Sequence, residues 1–83
     1  MNDYRPLVRV LIDALLLLES AGPNEIDPDT AVRGMENIAS SLHALDKSDQ
    51  RTLREDLLRI ADEAQDEAYG KFVRSLPDML DLA

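Results

Sequence analysis

The chain has 83 residues, no cysteine, 17 acidic against nine basic side chains, and a formal net charge of −8. This length predicts a single helical domain over residues 1–83 and excludes two independent cores. A chain of this size buries only about 60–65% of its unfolded surface, which makes self-association attractive. Without cysteine, disulfides and thiolate zinc sites are excluded, while the shortage of Lys and Arg disfavours a phosphate backbone and favours a protein partner of basic or mixed charge.

The first predicted helix covers about residues 5–21. Asn2 or Asp3 can cap it and Pro6 is tolerated in its first turn. At about 100° per residue, the apolar side chains of Leu7 to Ala21 sweep roughly 260°, leaving Arg9, Asp13 and Ser20 as a narrow polar seam. Such a helix must be enclosed by its own chain or by another molecule. Leu7, Val10, Ile12, Leu16 and Leu17 are the residues expected to carry self-association as a homodimer, with Ile12 and Leu16 on the last open side. A membrane span needs about 20 apolar residues, and this shorter run holds Arg9 and Asp13. The start Met1-Asn2-Asp3-Tyr4 is not basic and Glu19-Ser20-Ala21 is a poor cleavage site, so the expected compartment is the cytoplasm.

Gly22-Pro23 ends this helix, glycine being suited to a left-handed terminal conformation. Asp27-Pro28-Asp29 starts a second helix, about 28–45, with Asp27 as cap and Pro28 at the first helical position. Its apolar stripe is Val32, Met35, Ile38 with Ala39, Leu42 and Leu45, and Gly34 marks a close helix crossing. Asp46 or Ser48 caps a third helix, about 49–69, with Leu53, Leu57, Ile60, Ala61, Ala64 and Ala68 on one face and the pairs Arg51–Glu55 and Glu55–Arg59 along it. Tyr69, Phe72, Val73 and Leu76 lie on a face rotated by roughly 100°, which predicts a bend near Gly70. A short C-terminal helical segment, about 71–80, follows, with Pro77 ending regular helix. The fold class is all-α: a small bundle of three main helices and this fourth piece.

Chemistry-bearing constellations are sparse. Asp62, Glu63, Asp66 and Glu67 place like charges four apart on the third helix, against both side-chain repulsion and the helix dipole. Stability given up for negative potential is what a docking face for a basic partner would look like, the alternative being a solvated face beside Ala64 and Ala68, and these four are the candidate partner-binding residues. A single histidine and the absence of Glu-x-x-His or a calcium-loop spacing argue against a metal, and no cofactor is expected. Ser40 stands three residues before His43, but no orienting acid or oxyanion hole accompanies them, so no catalytic residue is assigned and the chain is not expected to be an enzyme.

In size, charge and helicity the chain is similar to small acidic helical proteins of bacteria that neutralise a toxin, among them immunity proteins of interbacterial toxins. The resemblance carries no motif and assigns no residue. It implies a non-enzymatic interaction module that binds and neutralises a toxin or effector. The alternatives are a structural or regulatory subunit of a larger assembly, docked through Leu7, Val10, Leu16 and Leu17, and a nucleic-acid-mimicking inhibitor of a DNA- or RNA-binding protein.

Overall fold

A computed structural model describes residues 3–83 as four α-helices with no strand among them: α1 Arg5–Ser20, α2 Pro28–His43, α3 Lys47–Glu63 and α4 Glu67–Met79. The chain divides into two compact units, one running to Ser41 near the end of α2 and the other covering Leu42–Ala83.

In the first unit, Asp3 supplies the start of α1, its Oδ1 accepting the Arg5 amide at 3.0 Å. Asn2, the other candidate, lies outside the described residues. Val8, Ile12 and Leu15 are buried on one side of α1. The helix ends at Ser20, whose hydroxyl donates to the Leu16 carbonyl at 2.6 Å, and the chain leaves through an extended Ala21. Gly22 therefore does not take the left-handed conformation expected of it, and none of the glycines has positive φ. Its carbonyl instead accepts the amides of Glu25 and Ile26, closing a turn, while Glu25 Oε1 accepts the Gly22 amide.

Asp27 caps α2 as expected: its Oδ2 accepts the Thr30 amide at 3.2 Å and its carbonyl accepts from Ala31. The covered stripe of α2 differs from the expected one. Ala31, Gly34, Met35, Ile38, Ala39 and Leu42 are half-buried, whereas Val32 is exposed; α2 stops at His43, so exposed Leu45 lies past its end and outside the stripe. The reason is steric. A Cβ at Gly34 would lie 3.2 Å from Leu18 Cδ1, so the missing side chain lets α1 approach and draws the covered face toward position 34.

The second unit is a helical hairpin. Asp46 caps α3, its Oδ1 accepting the Asp49 amide at 2.8 Å. Leu57, Ile60 and Ala61 from α3 meet a core that includes Val73, Leu76, Leu80 and Leu82. The expected continuous helix over 49–69 is broken earlier than Gly70. Helix α3 stops at Glu63, Ala64 is extended, and Asp66 caps α4 by accepting the amides of Ala68 at 2.9 Å and Tyr69 at 3.3 Å. The rotated face around Phe72 belongs to a separate helix, so both faces can be covered. Gly70 is buried inside α4, where a Cβ would lie 3.1 Å from the Ala61 carbonyl oxygen and 3.3 Å from Ala64 Cβ. The two helices cross over three small residues.

Nor does Pro77 end the helix. It is buried in the last turn of α4, which runs on to Met79. Asp81 follows at φ 53°, with the Asp81 amide donating to the Asp78 carbonyl and the Leu82 amide to the Pro77 carbonyl. These paired bonds, with Leu82 buried above Pro77, make a Schellman cap that has Asp where glycine is usual.

Candidate functional surfaces

Two surfaces come from the residues singled out in the sequence. The first is on α1. Leu7, Val10 and Leu17 are 63%, 64% and 58% exposed. With exposed Ala14 they recur at spacings of three, four and three, which places them on one helical stripe. Ile12 does not belong to it: with no exposed area, it lies among the buried residues, on the opposite side of the helix. Leu16 is half-buried between them. The roughly 260° apolar arc thus resolves into one covered face and one open face. Arg9 and Asp13 border the open stripe, both exposed and, among the described residues, without an ion-pair partner.

The second surface is the corner between α3 and α4. The break after Glu63 removes the like-charge pairs at four-residue spacing, because Asp62 and Glu63 end one helix while Asp66 and Glu67 begin the next. Asp66 and Glu67 now stand at a positive helix end, where negative charge is favoured. Asp62 Oδ1 is held by Arg74 Nη1 at 2.8 Å, and Asp66 is committed to two backbone amides. Glu63 and Glu67 make no side-chain hydrogen bond or ion pair among the described residues. An open groove of about 470 Å³ lies here, lined by Ala61, Gln65, Lys71 and Arg74 together with Asp62, Asp66 and Glu67. Its charge is mixed, not uniformly acidic.

The remaining polar residues are structural in their contacts. Gln50, buried in α3, donates through Nε2 to the Leu45 carbonyl at 2.9 Å and accepts the Ala83 amide on Oε1 at 3.1 Å. His43 Nε2 donates to the carbonyls of Leu80 at 2.8 Å and Asp81 at 3.1 Å, which takes this nitrogen away from Ser40. Arg59 pairs with Asp56 at 3.7 Å in place of Glu55, and among the described residues Arg51 forms no ion pair. Asp3 has its carboxyl held below the usual aspartate range, first by the Arg5 amide and then by the Arg5 side chain. Among the described residues, no three His, Asp or Glu side chains converge to hold a metal ion, and no helix is long and apolar enough to cross a membrane.

Compared with protein-family models, curated proteins and solved structures, the chain matches none. The surfaces must therefore be read from their own chemistry. Sequence periodicity missed Ala14 as part of the open stripe, although the spacing of three, four and three through Leu7, Val10 and Leu17 contains it. It also missed Gln50, for which a lone polar residue on an otherwise apolar face of α3 was the available signal. It missed Asp66 as a cap too, reading it inside one continuous helix, although an Asp followed by acidic Glu67 and then by Ala68, Tyr69 and Phe72 was the available signal.

Proposed function

We propose that this protein is a non-enzymatic interaction module that docks another protein chain on the open face of α1. The observation that carries the reading is the stripe of Leu7, Val10 and Leu17, each more than half exposed on one face of one helix. Large apolar side chains aligned in this way are stabilised by being covered, and a single exposed leucine would carry no such meaning. Glu63 and Glu67, on the corner of α3 and α4 and apart from the α1 face, contribute with the net charge of −8 a longer-range attraction to a basic partner. Neutralising a toxin or effector in the cytoplasm is the most concrete version. The engagement of His43 with two carbonyls supports a role without catalysis.

The test is a photo-crosslinking amino acid at position 10 in the source cells, with position 40 on exposed α2 surface as control. Adducts are expected from position 10 alone, and they should disappear when Leu17→Lys is added with helicity unchanged. Equal yields from both positions, or no adduct from position 10, would overturn the reading. If a toxin gene lies beside this one, growth rescue from that toxin should be lost in Leu17→Lys.

A further inference from the structure

The stripe on α1 has the alternating three- and four-residue spacing of a coiled-coil seam, and its side chains run large, medium, small and large as Leu7, Val10, Ala14 and Leu17. Resting on the reading that this face docks a protein chain, we infer that its occupant is the α1 of a second copy, paired antiparallel about an axis at residue 12.

Three observations favour this occupant and orientation. First, volumes fit. Antiparallel pairing sets Leu7 against the second copy's Leu17 and Val10 against its Ala14, so each layer holds one complementary pair. Parallel pairing would oppose Ala14 to Ala14 and leave the centre of the seam underfilled. Second, charges fit. Arg9 and Asp13 border the same edge of the seam and form no ion pair among the described residues. About the axis at residue 12, each Arg9 falls within about 3 Å along the helix of the other copy's Asp13, given a rise of 1.5 Å per residue. The two acids that meet near the axis are thereby flanked by two guanidinium groups. Third, the other edge is apolar. About the same axis, exposed Tyr4 falls within about 3 Å along the helix of the second copy's half-buried Leu18, and Leu11 within about 3 Å of the second copy's Leu11.

The area sets the strength. Leu7, Val10 and Leu17 each offer roughly 100 Å² and Tyr4 somewhat more, so the pair buries about 800 Å² in all, at the level of weak transient contacts. The expected association is concentration-dependent, with the mass rising from one chain toward two between about 10 μM and 1 mM.

The absence of cysteine makes the test clean. Val10→Cys and Ala14→Cys are prepared separately, each at an exposed position, and helicity is checked for both. Under mild oxidation an equimolar mixture is expected to form the disulfide-linked pair at least about tenfold faster than either variant alone, because like positions are offset by about 6 Å along the axis, beyond comfortable disulfide reach. Arg9→Asp or Asp13→Arg alone should weaken association, and the two together in one chain should restore it. Fastest linkage within a single variant would show parallel pairing and overturn the inference, as would a mixture no faster than its components. A chain that sediments as a monomer at 1 mM would also overturn it. In that last case, adducts to a different protein from position 10 would leave the docking role standing, whereas their absence would remove both.

Discussion

The two buried or half-buried helix glycines should respond to the same substitution with opposite signs. Replacing glycine by alanine within a helix gains about 1 kcal/mol from reduced backbone freedom in the unfolded chain. At position 34, the new methyl meets Leu18 Cδ1 at 3.2 Å, the far end of a side chain that can turn away at a cost of about 0.5 kcal/mol. Gly34→Ala is therefore expected to stabilise the protein by about 0.5 kcal/mol. At position 70, the obstacle is the Ala61 carbonyl oxygen at 3.1 Å, part of the backbone of α3, with Ala64 Cβ at 3.3 Å beside it. Relief there requires the helices to separate, and overpacking of that kind costs about 2–3 kcal/mol, so Gly70→Ala should lose about 1–2 kcal/mol net. Urea unfolding followed by far-UV circular dichroism measures both, and amide hydrogen exchange assigns each change to its own unit. The variants should differ in midpoint by roughly 6–20 °C on heating. Equal signs for the two, or a stabilised Gly70→Ala, would refute the argument that backbone and side-chain obstacles differ in kind.

Other consequences concern the caps and the charges. Asp66→Ala should cost about 1 kcal/mol in urea unfolding because two α4 amides lose their acceptor. Asp62→Asn should cost well under 1 kcal/mol and lose its effect in high salt, since its pair with Arg74 is exposed. Asp81→Gly should stabilise by about 0.5–1 kcal/mol by relieving a non-glycine residue at φ 53°, while Asp81→Val should destabilise. The Asp3 carboxyl, read by NMR, should titrate below an ordinary aspartate. Because its folded pKa is depressed, its contribution to the start of α1 is present above the unfolded value and is lost as pH falls through the folded one. In Arg5→Ala the titration should move only part of the way back to the ordinary value, because the amide at position 5, the larger cause, remains, and a full return would contradict that order.

Local chemistry made the starts of helices legible and left their faces less so. Asp27-Pro28 and Asp46 announced α2 and α3 because a cap depends on a few adjacent residues. The boundary at Ala64 to Asp66 was harder to see, since no glycine or proline marks it and the alanines and acids on either side suit a continuous helix. Gly70 drew attention as the breaker, yet its role depends on Ala61 and Ala64 lying across from it, which is a tertiary fact. Gly22 and Pro77 were likewise read through habits of isolated helices. Their actual settings depend on the Glu25 side chain and on burial within the second unit. For α1, the pattern of apolar residues was visible in full, but periodicity is symmetric between faces and could not tell that Ile12 is covered while Val10 is open.

The hairpin of α3 and α4 also constrains how its sequence can drift. Small side chains at 61 and 64, a cap at 66 and the absence of any side chain at 70 are required together, and their spacing is set by one turn of chain. Positions 62, 63, 65 and 67 point outward and carry no such demand. A distant descendant could therefore lose nearly all recognisable identity here, including every charge on the corner other than Asp66, and still be betrayed by four residues. Ala-x-x-Ala-x-Asp-x-x-x-Gly is the inheritable part of this fold, and the acids interleaved with it at 62, 63 and 67 are free to change without cost to the hairpin.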